Sequence, residues 1–200
     1  ISATYFLETT DYDVHLSIDS DIAGFTVEDT QKLCELAMTY DIVGGVYVRR
    51  SQNETTPATW YMDGVPVIHA FDHTPVPIRW AATGFLAVHR RVFEALALDM
   101  PLLHRDRPTH FYPFFQTMIY DGPEAEGGPI LLSEDYAFCE RARRAGFGVW
   151  LDPAVRIGQR DALDARVSHL ALSVQNATGR HGNHRPPGAR IEQDAGAGDH

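Results

Sequence analysis

Residues 15–25 read HLSIDSDIAGF. A short apolar run leads into two aspartates one position apart, and a glycine follows. Residues 14–18 (VHLSI) read as a strand. Strand side chains alternate, so Asp19 and Asp21 are expected to face one way and Ser20 the other. Carboxylates this close repel unless a cation lies beside them, and hard oxygen ligands suit Mg²⁺ or Mn²⁺. The plainer alternative is that Asp21 caps a helix. Against it, Thr26 and Asp29 form a T-x-x-D capping signal of their own. The D-x-D pattern alone is common.

Outward from this stretch, residues 3–9 read as the end of a helix. After Thr26 a helix runs to about Tyr40, with Leu33, Leu36, Ala37 and Tyr40 on one face. DIVGGVYV (41–48) is continuously apolar, as a buried strand is. Residues 49–64 read as polar and turn-rich, and 65–71 as an exposed hairpin strand. IRWAATGFLAVHRRVFEAL (78–96) reads as strand, Thr83-Gly84 turn, strand, then helix from about Arg91. The long segment 99–132 is aromatic and punctuated by Pro and Gly, as binding loops often are. SEDYAFCERARRAG (133–146) reads as a helix with Ser133 as N-cap and Gly146 as stop. FGVWLDP (147–153) reads as a strand ending in a turn. Strand-helix-strand alternation followed by a hairpin-rich region predicts an α/β fold, with a mixed, mainly parallel sheet flanked by helices.

Composition narrows the function. The 200 residues are 44% hydrophobic, enough for one domain with a core. The formal net charge of −10 argues against a nucleic-acid partner. The two cysteines, Cys34 and Cys139, form no disulfide framework or zinc pattern, and each sits in a helical pattern where burial is usual. No signal-peptide pattern is seen, and no apolar run approaches the roughly 20 residues a spanning helix needs. The expected compartment is the cytoplasm.

Two further motifs carry chemistry. Glu134 and Asp135 sit in the first turn of a helix. There they either complement its dipole or supply a general base for an attacking hydroxyl. Thr83-Gly84 is either an ordinary hairpin turn or a place where backbone approaches a ligand.

In this order and spacing the motifs resemble a GT-A glycosyltransferase of the family-2-like bacterial and phage type. FLETTDYDVHLSIDSDI, YDIVGGVYVRR, ATGFLAVHRRVFEAL and LSEDYAFCERARRAGFGVWLDPAVRIG carry the resemblance, which covers residues 3–158. It implies a Rossmann-like GT-A domain over residues 1–160 whose amino-terminal nucleotide-binding units are absent. A nucleotide-sugar donor, a carbohydrate or other hydroxyl acceptor, and Mn²⁺ or Mg²⁺ follow from it, with transfer by inversion. Asp19 would lie near the ribose or the metal, and Asp21 would bind the metal directly. Asp135, with Glu134 beside it, would be the base. Trp80, Thr83 and Gly84 would line the donor-sugar or acceptor pocket. Where the family often has a metal-binding histidine, this chain has Gln159, whose amide oxygen would ligate instead; His169 is a lesser substitute. The rival readings are a sugar nucleotidyltransferase and a degenerate, non-catalytic carbohydrate-binding or assembly module.

Residues 161–200 read as a poorly ordered tail. The stretch from about 179 has almost no large apolar side chains, and its composition also fits a GC-rich segment translated out of frame. Ordering such a stretch costs roughly 1–2 kcal/mol per residue in backbone entropy, with little apolar burial to offset it. Truncation after Ser173 is therefore expected to leave the thermal midpoint nearly unchanged; a fall of several degrees would contradict this.

Overall fold

The computed structural model describes residues 1–46, 59–61, 74–106, 109–123, 125 and 127–159. All of them fall in one unit, Ile1–Leu163. The tail, the hairpin strand expected at 65–71 and His169 lie outside the described residues.

Local signals set the elements. Helix α1 (Ser2–Thr9) precedes strand β1 (Val14–Ile18). Its last carbonyls would be orphaned without partners, and the Arg90 guanidinium donates to those of Phe6, Leu7 and Thr10. Helix α2 (Val27–Tyr40) opens with the expected capping box. The Asp29 N–H donates to Thr26 Oγ1 at 3.1 Å, and the Thr26 N–H donates back to Asp29 Oδ2 at 2.8 Å. Strand β2 (Ile22–Ala23) lies between β1 and α2, and β3 (Ile42–Val46) follows α2. Strand β4 (Thr59–Tyr61) falls in the stretch read as turn-rich. Then come β5 (Val76–Ala81), β6 (Phe85–His89) and helix α3 (Arg90–Leu98).

The segment read as one long loop contains two small ribbons. Strand β7 (Leu103–Asp106) pairs with β8 (Thr109–Phe111), and β9 (Met118–Tyr120) with β10 (Ile130–Leu132). Two of its aromatics pack into the core. Phe114 is buried, and Phe115 stacks on Phe138 at 4.5 Å between ring centres. Helix α4 (Glu134–Arg144) follows Ser133, which occupies the N-cap position without a side-chain capping bond. Gly146, at φ +93°, takes the left-handed conformation that ends the helix. Strand β11 (Val149–Arg156) runs past the turn expected near residue 153, and β12 (Gly158–Gln159) follows it.

The main sheet has the order β1-β6-β3-β11-β5-β4. The expectation of a mainly parallel sheet is corrected: only β3 and β11 pair in parallel, and the other four pairings are antiparallel. The physical reason is an insertion. Strands β1, β3 and β11 do run in one direction, as strand-helix-strand units require. Strand β6 lies between β1 and β3, antiparallel to both, and takes up their hydrogen bonds. Strands β5 and β6 do not pair with each other, so Thr83-Gly84 is not a hairpin turn. The molecule is α/β with a mixed sheet flanked by helices, and no helix among the described residues is long and apolar enough to cross a membrane.

Both faces of the sheet are covered. One carries α2, with Leu33 and Ala37 packed among Val43, Phe85 and Val155. The larger cluster joins Phe93 of α3 to Ala137, Phe138 and Ala142 of α4 and to Trp80 and Leu86. Lys32 Nζ lies 2.6 Å from Oδ2 of the wholly buried Asp152, whose Oδ1 accepts the Ala154 N–H at 3.0 Å. Removing one partner of such a pair strands the other charge. Lys32→Met is therefore expected to lower stability by on the order of 2 kcal/mol in urea unfolding. Adding Asp152→Asn should restore most of it, since Asn keeps the Ala154 bond. Equal loss in the single and double variants would contradict a stranded charge.

Candidate functional site

The site begins where β1 ends. The ladder with β6 stops at Ile18 opposite Phe85, and the Asp19 N–H donates to the Gly84 carbonyl at 2.9 Å. Beyond it the chain turns, closed by the Ile22 N–H on the Asp19 carbonyl at 3.0 Å. This corrects the strand reading of D-x-D. Asp19, Ser20 and Asp21 lie in a turn, so period-2 alternation does not decide where their side chains point. Asp, Ser and Asp are turn formers, and here that tendency ends the strand. Asp19 and Ser20 are exposed, and Asp21 is half-buried.

Gln159 comes to this turn from the far end of the described chain. Its backbone pairs with Ile22 as Gly158 pairs with Ala23, in the antiparallel ribbon β12–β2. The topology thus sets residue 159 opposite the neighbour of Asp21.

Asp135 reaches the same region from α4. The Thr83 hydroxyl donates to Asp135 Oδ1 at 2.8 Å and the Thr83 N–H to Oδ2 at 3.2 Å. Burial pushes the Asp135 carboxyl above the ordinary aspartate range. The two Thr83 bonds pull it back, and the charges of Glu134 and Asp19 push it further up. Asp19 therefore acts on Asp135 through space. Glu134, its neighbour, is exposed. Of the two acids, Asp135 is the one held against the crossover between β5 and β6.

Helix α4 is held to the end of β5 by two more contacts. The Cys139 thiol exchanges hydrogen bonds with the Ala81 N–H and carbonyl, each at 3.4 Å, and burial pushes it up to about 12. Buried Glu140 accepts the Trp80 indole N–H at 3.1 Å and Arg144 Nε at 3.0 Å, with Arg79 and Arg143 at 3.8 and 3.7 Å. Trp80 is wholly buried, stacked near Tyr136 and edge-on to Tyr120. Expected in a sugar pocket, it lies in the core, packed against α4. Gly84 is buried as well. Sequence reasoning missed the Thr83–Asp135 bonds and the burial of Glu140. Arg143 and Arg144, three and four positions after Glu140, announce ion pairs along the helix but not their burial.

Among the described residues no three His, Cys, Asp or Glu side chains stand together so as to hold a metal ion. Asp19 and Asp21 are carboxylates, the oxygen donors through which Mg²⁺ or Mn²⁺ would be bound, with substrate phosphates and water completing the shell. Two cavities lie away from these residues. One of about 380 Å³ is bordered by Ala3, Phe111 and Phe114, and one of about 330 Å³ by Leu96, Asp99 and Arg141.

Neither a family model nor a curated protein matches the chain. Among solved structures, the crystal structure of A197 from STIV is similar at 15% identity, with a TM-score of 0.44. The match covers 78% of this chain and 61% of that one.

The bond between Trp80 and Glu140 is directly testable. Trp80→Phe removes the indole N–H from a buried carboxylate and should lower stability by about 1–3 kcal/mol in urea unfolding. A variant as stable as the wild type would show that the indole N–H adds nothing to the hold on Glu140.

Proposed function

We propose that this chain is the metal- and acceptor-side part of a GT-A glycosyltransferase of the family-2-like type, transferring a sugar from a nucleotide-sugar donor to a hydroxyl acceptor. One observation carries the reading. The D-x-D turn and the α4 carboxylate, far apart in sequence, are tied to adjacent residues of one crossover, Gly84 and Thr83. A metal-assisted transfer with a general base needs those two groups side by side.

In this reading Asp21 and Asp19 hold the cation, with Gln159 brought beside them by the β12–β2 ribbon. Mn²⁺ or Mg²⁺ held there would supply positive charge to the donor diphosphate, as ligand and as leaving group. Asp135 takes the proton from the acceptor hydroxyl as its oxygen attacks the anomeric carbon. The bond from that carbon to the phosphate oxygen breaks, the nucleoside diphosphate leaves with the electron pair, and configuration inverts. A carboxyl raised above the ordinary aspartate range is a better proton acceptor near neutral pH. Its protonation sets an acid limb of activity lying above that range.

Calorimetry with UDP, GDP and Mn²⁺, joined to an assay of nucleotide release, tests this. Asp21→Ala should lose Mn²⁺-dependent nucleotide binding. Asp135→Asn should keep it and lose transfer, because the amide has nearly the shape of the carboxyl but accepts no proton. If Glu134→Gln abolishes transfer and Asp135→Asn does not, the base is misassigned. Full activity in both variants would end the mechanism, and sugar binding that needs no nucleotide or metal would point to the non-catalytic module.

A further inference from the structure

Thr83 and Gly84 were expected to line a sugar pocket, but the hydrogen bonds give them other partners. Both Thr83 donors go to one carboxylate, the hydroxyl to Oδ1 and the amide to Oδ2 of Asp135. Such a two-point grip fixes the rotation of the carboxylate as well as its place. It uses one lone-pair site on each oxygen and leaves the others for a proton. The next residue faces the opposite way in function: the Gly84 carbonyl receives the Asp19 N–H at 2.9 Å. One dipeptide thus holds the base with its donors and the D-x-D turn with its acceptor. It lies in the connection between β5 and β6, strands separated in the sheet by β3 and β11.

We propose that Thr83-Gly84 is a positioning dipeptide that sets the separation and orientation of the D-x-D turn and the Asp135 carboxylate, and that the Thr83 hydroxyl contacts Asp135 and not the sugar. The inference rests on the glycosyltransferase reading only for what Asp135 does. Valine keeps the shape of threonine and removes the hydroxyl, whereas serine keeps the hydroxyl. The charged or titratable groups acting on Asp135 are Glu134 on its own helix and Asp19 across the crossover; Cys139, also on α4, feels the Asp135 charge in return.

The test is a carbon-detected NMR titration of the Asp135 carboxyl in the full chain without nucleotide or metal, its signal assigned by Asp135→Asn. A hydroxyl bonded to a carboxylate favours the charged form, so its loss raises the midpoint. Thr83→Val should raise it by about one pH unit, the amide bond remaining, and Thr83→Ser should leave it near the wild type. An unmoved midpoint in Thr83→Val, or an equal rise in both variants, would overturn the proposal. If Thr83→Val does not fold, Thr83→Ala decides: it too lacks the hydroxyl and keeps the amide, so the Asp135 midpoint should rise, and an unmoved midpoint would overturn the proposal. Failure of Mn²⁺-dependent nucleotide binding cannot affect this titration, so the two readings fail separately.

Discussion

The structure depends on a crossover that binds acids on both sides. Burial raises the cost of ionising Asp135, and the charges of Glu134 and Asp19 add to it, in a chain whose net charge is already −10. Like charges do not gather unless covalent geometry and hydrogen bonds hold them. Here the Gly84 carbonyl fixes the turn after β1, and Thr83 fixes the first turn of α4. The remaining repulsion is what a cation on the turn would relieve.

Holding a helix end in place takes more than one contact. Asp135, Cys139 and Glu140 meet Thr83, Ala81 and Trp80 in turn, so α4 follows the end of β5 residue by residue. The polar contacts at Glu140 fix register. A buried ion pair is weak evidence of stability, and an apolar substitute of equal volume often serves as well for that alone. Apolar packing, with Phe138 stacked on Phe93 and Phe115, supplies the adhesion. Lys32 and Asp152 fix α2 against β11 on the opposite face in the same manner.

Much of this was legible in the sequence, and the limits have physical causes. The capping box at Thr26, the extent of β1 and α2, and α4 between Ser133 and Gly146 rest on local chemistry, and all are present. Pairing partners were not legible. Periodicity shows that a segment is a strand and is silent about its neighbour, so the insertion of β6 between β1 and β3 left no signal. Thr-Gly reads equally as a hairpin turn and as a crossover. The alternation argument for Asp19 and Asp21 failed because it assumed the ladder continues past Ile18. The burial of Trp80 was not legible either, because an aromatic beside a turn suits a pocket and a core alike. Gln159 was chosen by resemblance, and the β12–β2 register sets its backbone beside the turn.

In the proposed function one cation sits on the D-x-D turn, beside the crossover that holds Asp135. Paramagnetic broadening by Mn²⁺ in the presence of UDP reads this directly, because it decays steeply with distance from the ion. Amide signals of residues 19–22 should vanish first, with those of 83–84, 134–136 and 158–159 broadened next and those of α3 untouched. Broadening that spares residues 19–22, or that centres on His104, His110 and Glu8, would contradict a cation bound at this turn.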